Sequence, residues 1–127
     1  MFSHIMVGAN NIDESKNFYD STLAVLGYDA GAIDEKGRCF YVNKTGVFSF
    51  TKPINGEPAS CGNGSTIGFG AKDPATIDAW HAAGLAAGGT DCEEPPGLRT
   101  NGVASLYLAY LRDPAGNKVC ALHRVKK

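Results

Sequence analysis

One block of this chain occurs twice, and that duplication limits the fold more than any other feature. The first copy runs His4-Ile5-Met6-Val7-Gly8-Ala9-Asn10-Asn11 and continues to Phe18. The second runs Thr66-Ile67-Gly68-Phe69-Gly70-Ala71-Lys72-Asp73 and continues to Trp80. A single offset sets Ile5 on Ile67, Val7 on Phe69, Ala9 on Ala71 and Phe18 on Trp80. Each copy opens with a short alternation of apolar residues, the period of a strand with one buried face, and then passes through a polar cap into an amphipathic helix. In the first helix Asn11 or Asp13 can cap, Ile12, Phe18, Leu23 and Leu26 supply the apolar face, and Gly27 stops the helix. In the second, Asp73 precedes Pro74, which suits a first helical turn; Ile77, Trp80 and Leu85 are expected to face inward, and Gly88-Gly89 ends the helix.

Three further strands are expected after each helix. In the first half they fall at 28–34, 37–43 and 46–52, and in the second at 89–93, 103–112 and 117–124. The last hairpin turns on Asp113-Pro114-Ala115-Gly116-Asn117. Pro114 presets φ there, Gly116 takes a conformation other residues avoid, and Asp113 and Asn117 can bond the turn backbone. Asn43-Lys44-Thr45-Gly46 mirrors it in the first half. The unit is therefore β-α-β-β-β, and the fold class is α+β: paired repeats forming a cupped mixed sheet with helices on the outer face. Lys52–Ser65, rich in Gly, Pro, Asn and Ser, reads as a linker between halves at about 1–52 and 65–127, and Glu93–Asn101 as a longer loop in the second half only. Neither half has enough core to stand alone, so residues 1–127 are expected to form one domain.

Composition narrows the function classes. A net charge of -1 gives no electrostatic reason to expect a nucleic-acid or anionic-membrane partner. No apolar run reaches the length of a membrane span, and the N-terminus lacks the basic and apolar regions of a signal peptide. Cys39, Cys61, Cys92 and Cys120 are scattered with no CxxC pair, which reads as reduced thiols in a cytoplasmic protein. Gly68, Gly70 and Gly84 lie in a strand and a helix, the wrong context for a phosphate loop.

Several motifs in this order carry a resemblance. They are His4-Ile5 at the first strand, Ser15-x-x-Phe18-Tyr19 in the first helix, Leu26-Gly27-Tyr28 after it, Pro96-Gly97-Leu98-Arg99, and Tyr110-x-Arg112-Asp113-Pro114-x-Gly116-Asn117. Together the chain resembles the vicinal oxygen chelate superfamily, which includes glyoxalase I, bleomycin-resistance proteins and extradiol dioxygenases. The resemblance implies a small-molecule ligand and a homodimer, in some members with a site drawn from two chains. Metal-dependent members take ligands from the opening and closing strands of each half. The resemblance places the first at His4, the second near Ser49, the third at Thr66, where histidine is common, and the fourth at Cys120, where glutamate is usual.

Strand parity points the same way. With Ile5, Val7, Ile67, Phe69, Val119 and Ala121 beneath the helices, His4, Thr66 and Cys120 point to the opposite face. The residue types suit a hard divalent cation poorly, because Thr66 and Ser49 are neutral hydroxyls; His4 and Cys120 are the only suitable ligands, and of a softer ion. No cofactor is therefore expected, a divalent metal being the alternative.

The expected ligand-contacting set is His4, Ser49, Thr66, Arg99, Tyr107 and Cys120. Arg99 lies in the extra loop, where it can bind an anion or simply face solvent. His4 can act as a pocket hydrogen-bonder or pair with a hydroxyl such as Thr66. Cys120 reads as a nucleophile if its pKa is lowered, and as a small buried apolar residue otherwise. Three functions follow: a metal-free small-molecule binder of the bleomycin-resistance type with a divergent pocket, a metal-dependent lyase or dioxygenase, and a metal-independent enzyme using the same cleft.

Overall fold

The computed structural model describes residues 1–100 and 102–125. The first repeat comprises β1 (His4–Gly8), α1 (Ile12–Val25), β2 (Ala32–Ile33), β3 (Cys39–Asn43) and β4 (Gly46–Thr51). The second comprises β5 (Ile67–Gly70), α2 (Pro74–Ala86), β6 (Thr90–Asp91), β7 (Gly97–Thr100), β8 (Ser105–Arg112) and β9 (Lys118–Val125). Each half builds its own mixed sheet. The orders are β1-β4-β3-β2 and β5-β9-β8-β6, with β7 added on β8. In both, the opening strand lies parallel to the closing one and the hairpin is antiparallel. This is the α+β repeat architecture that the duplication implies.

The local signals explain the helix ends. Asn11 caps α1 by accepting from the Glu14 N–H, and Asp73 caps α2 by accepting from the Thr76 N–H. Gly27 and Gly88 follow the helices at φ of 95°, where a side chain would be strained. The inward face of α2 is Ile77, Trp80 and Gly84, spaced to lie on one face; Leu85 is 40% exposed, contrary to expectation. The outer strands are also shorter than the sequence suggests, two residues each for β2 and β6. The stretch expected as a plain loop between 93 and 101 contains β7, which pairs with β8 and makes the second sheet five-stranded. The sequence hides β7 because Pro95-Pro96-Gly97 signals a break, whereas the open edge of β8 supplies the pairing.

Both helices and one face of each sheet close on a single core. It joins Phe18, Tyr19 and Leu23 of α1 and Tyr41, Phe48 and Phe50 of the first sheet to Ile77, Trp80, Leu111 and Val119 of the second half. Tyr19 is the aromatic hub, with ring centroids of Phe18 at 4.9 Å and Phe48 at 4.7 Å. Its hydroxyl donates to Asp113 Oδ2 at 2.6 Å, so the first helix is bonded to the last turn. Burial beside that carboxylate pushes the Tyr19 phenol well above its ordinary value, and it stays a donor. Asn117 Nδ2 then bonds the Gly8 carbonyl at the end of β1. The linker packs along the same strand: the Ala59 N–H donates to Asn10 Oδ1, and a Cβ at Gly8 would stand 2.9 Å from the Ala59 Cβ.

Candidate ligand site on the open sheet faces

The register decides which residues share a face. In the first sheet His4 stands opposite Val47, and Met6 opposite Ser49, which in turn faces Phe40. These point away from the core, whereas Ile5, Val7, Phe48 and Phe50 point into it. In the second sheet Gly68 stands opposite Cys120, and Cys120 opposite Tyr110. Gly97 and Arg99 join that face through Leu108 and Leu106. His4, Met6, Val42, Gly68 and Gly70 on these outer faces are exposed, Val42 at 74%.

The six expected contact residues separate accordingly. His4, Ser49 and Cys120 lie on outer faces of the sheets. Thr66 is exposed and precedes β5, whose outer-face positions are Gly68 and Gly70, so that strand offers bare backbone. Arg99 is on the outer face, with its Nη2 donating to the Glu94 and Pro95 carbonyls at 3.2 and 3.0 Å, which holds its own loop in shape. Tyr107 is on the core side, where its hydroxyl donates to Asp78 of α2 at 2.8 Å. Tyr110 stands next to Cys120 on the outer face, with the Lys118 ammonium 4.8 Å from its ring centroid and paired with Glu93. Sequence parity leaves Tyr110 undecided between core and pocket wall, yet the turn contained the signal. Counting back from the closing pair Arg112 and Lys118 puts Tyr110 opposite Cys120 and Tyr107 opposite His123.

The donors at the four strand positions do not fit a hard divalent cation. The Ser49 hydroxyl is buried and already donates to the Ile5 carbonyl at 2.9 Å. Burial pushes the Cys120 thiol up to about 11; Lys118 pulls it down less strongly and Glu93 raises it. A thiol pushed up in this way is a poor nucleophile at neutral pH. His4 Nδ1 is 2.7 Å from Ser3 Oγ. Among the described residues no three His, Cys, Asp or Glu side chains come together.

Thiol reactivity should follow this burial. At pH 7.5 an alkylating reagent is expected to label exposed Cys61 first, then half-buried Cys92, with Cys39 and Cys120 protected. Burial also raises the Cys39 thiol. Labelling of Cys120 should rise toward pH 11, read by peptide mass mapping in the folded state. Cys120 reacting as fast as Cys61 at pH 7.5 would mean that the thiolate is stabilised after all.

The model of the glyoxalase/bleomycin resistance protein/dioxygenase superfamily matches residues 1–121. The chain belongs to this superfamily. A glyoxalase/bleomycin resistance protein from Albidiferax ferrireducens T118 is 59% identical over 98% of this chain and 99% of its own, with a TM-score of 0.94. Two more distant structures share the fold. A glyoxalase/bleomycin resistance protein/dioxygenase family enzyme from Burkholderia phytofirmans PsJN is 16% identical over 97% and 98% of the two chains, with a TM-score of 0.72. Lactoylglutathione lyase from Agrobacterium tumefaciens is 21% identical over 97% and 92%, with a TM-score of 0.64. No curated protein matches the chain. Among the described residues no helix is long and apolar enough to cross a membrane.

Proposed function

We propose that this superfamily member binds a small molecule on the open sheet faces and does so without a metal. The observation that carries the reading is the state of the closing-strand positions: the Ser49 hydroxyl is spent on a backbone carbonyl, and the Cys120 thiol is buried, which pushes its pKa up. What remains is recognition chemistry. Bare backbone at Gly68 and Gly70 lets a ligand approach closely, Tyr110 and Phe40 offer ring surface, and His4 offers a polar group. Protein purified without chelators is expected to carry well under one metal per chain by elemental analysis. A ligand at a hundred times its Kd should then add about 2.7 kcal/mol to unfolding. The variants Met6→Arg and Tyr110→Ala, both altered on the open faces, should weaken that ligand about tenfold. One tightly held metal per chain, with an activity that depends on it, would sink the reading in favour of a lyase or dioxygenase.

The ligand-binding unit in this reading is a homodimer, and its setting the cytoplasm. Met6 and Val42 leave apolar surface on the first sheet in water, and among the described residues no strand pairs with the outer edge of β1. Light scattering is expected to give twice the chain mass, and Met6→Arg with Val42→Lys should shift it to the monomer. A monomer in the parent protein at micromolar concentration would overturn the dimer. The four free thiols accord with a reducing compartment.

A further inference from the structure

The core side of the first sheet holds a cavity that meets the open faces at His4, Gly68 and Gly70. It lies between α1, strands β3 and β4, and β5, and has a volume of about 310 Å3. Its walls are Leu23, Tyr28, Tyr41, Phe48, Ile67 and Phe69. The Phe48 and Phe69 rings meet edge to face at 5.2 Å, so one aromatic from each half forms a wall. The mouth lies between the N-terminus and the β3–β4 turn, where Phe2 is 68% exposed. Met6, Ser49, Tyr110 and Cys120 do not line it.

Three properties define what such a space accepts. The first is size. A cavity of roughly 150 Å3 with apolar walls takes a benzene ring, and ligand sites begin near 300 Å3. This volume therefore suits about two fused rings. The second is charge. Among the described residues no side-chain carboxylate, ammonium or guanidinium lines the cavity, although Met1, with the α-amino group, and His4 do, so an ion held between the aromatic walls alone would lose its hydration without a partner. The third is polarity at one end. The Tyr41 hydroxyl is committed to Asp20 at 2.8 Å, whereas the Tyr28 hydroxyl makes no hydrogen bond among the described residues. Aromatic walls give water few partners, so displacing it by a ring is favourable.

We propose that this inter-half cavity is a second binding site, for a neutral, flat aromatic molecule of about two fused rings with one hydrogen-bonding group, entering past Phe2. It adjoins the site proposed for the open faces at His4, Gly68 and Gly70, and is told apart from it by its aromatic walls, which Met6, Ser49, Tyr110 and Cys120 do not line.

Indole is the probe. Saturable binding by calorimetry is expected for the full chain, and crystals soaked in 4-bromoindole should place the bromine between Tyr28, Phe48 and Phe69. Ile67→Trp, which fills the cavity from β5, should weaken indole at least tenfold. Tyr28→Phe should weaken it about threefold, and Met6→Arg, on the opposite face, should leave it unchanged. No saturable binding up to the solubility limit, a bromine on the open faces, or an Ile67→Trp protein that binds indole as before would each overturn the proposal. Should Ile67→Trp not fold by circular dichroism, the bromine position in the parent protein decides alone.

Discussion

Asp113→Ala is expected to destabilise the fold by about 4 kcal/mol, since each buried donor left without a partner costs roughly 1–3 kcal/mol and the costs are not fully additive. The carboxylate is 3% exposed and serves four donors: Oδ1 accepts from the Ala115 and Asn117 N–H groups, and Oδ2 from Asn117 Nδ2 and the Tyr19 hydroxyl. Removing it unties the last turn and breaks the hydrogen bond that ties α1 to that turn in one step. A loss of about 4 kcal/mol is a large share of the roughly 5–15 kcal/mol that holds a domain folded. Urea unfolding should show the midpoint falling with little change in slope. Asp113→Asn should lose less, because one oxygen still accepts. Tyr19→Phe should lose about 1–2 kcal/mol, and its effect should shrink sharply in the Asp113→Ala background. A change under 1 kcal/mol for Asp113→Ala would show that this network does not join the halves.

Gly84→Val is the second large expectation, a loss of about 3 kcal/mol from overpacking. Gly84 lies inside α2, where a glycine ordinarily costs about 1 kcal/mol against alanine. Its backbone dihedrals are not the reason it is there. A Cβ at this position would stand 2.2 Å from Leu111 Cδ1, 3.2 Å from Thr22 Cγ2 and 3.3 Å from Phe18 Cε1. Those neighbours belong to α1 and β8, so the missing side chain lets the two halves approach. Leu111 is fully buried and has little room to swing aside. Even Gly84→Ala should destabilise, against its helix propensity, and Leu111→Ala should cost less in that background than alone. Thermal unfolding of the four proteins of this cycle checks both signs. A Gly84→Ala protein more stable than the parent would show that propensity, and not the contact with α1, governs the position.

The legible parts of this protein and the illegible ones differ in the range of the physics behind them. Helix ends were legible because a cap is a local matter: Asn11, Asp73, Gly27 and Gly88 act on backbone within a turn of themselves. Strand faces were legible because parity is strict, and Ile5, Val7, Ile67, Phe69, Val119 and Ala121 do sit beneath the helices. Leu85 was misassigned because the apolar face was read from hydrophobicity, whereas the packed position, Gly84, has no side chain to score. The strand at Gly97–Thr100 was missed because its pairing comes from a neighbour later in the chain. Tyr107 was drawn toward the site by its type, although the register set by the Asp113 turn puts it with Asp78 instead.

The sequence by itself determined the duplicated β-α-β-β-β unit, the membership it implies, and the poor donor chemistry at His4, Ser49, Thr66 and Cys120. These follow from residue type, period and local turn chemistry, which need no knowledge of distant contacts. Only the tertiary structure decided that the Cys120 thiol is pushed up by burial, that Ser49 is spent on the Ile5 carbonyl, and that β5 offers glycine backbone where a side chain was expected. It alone revealed the aromatic cavity between the halves, since Tyr41, Phe48 and Phe69 meet only when the two repeats close on one core. Desolvation and shape are properties of the packed neighbours, and those neighbours lie tens of residues away along the chain.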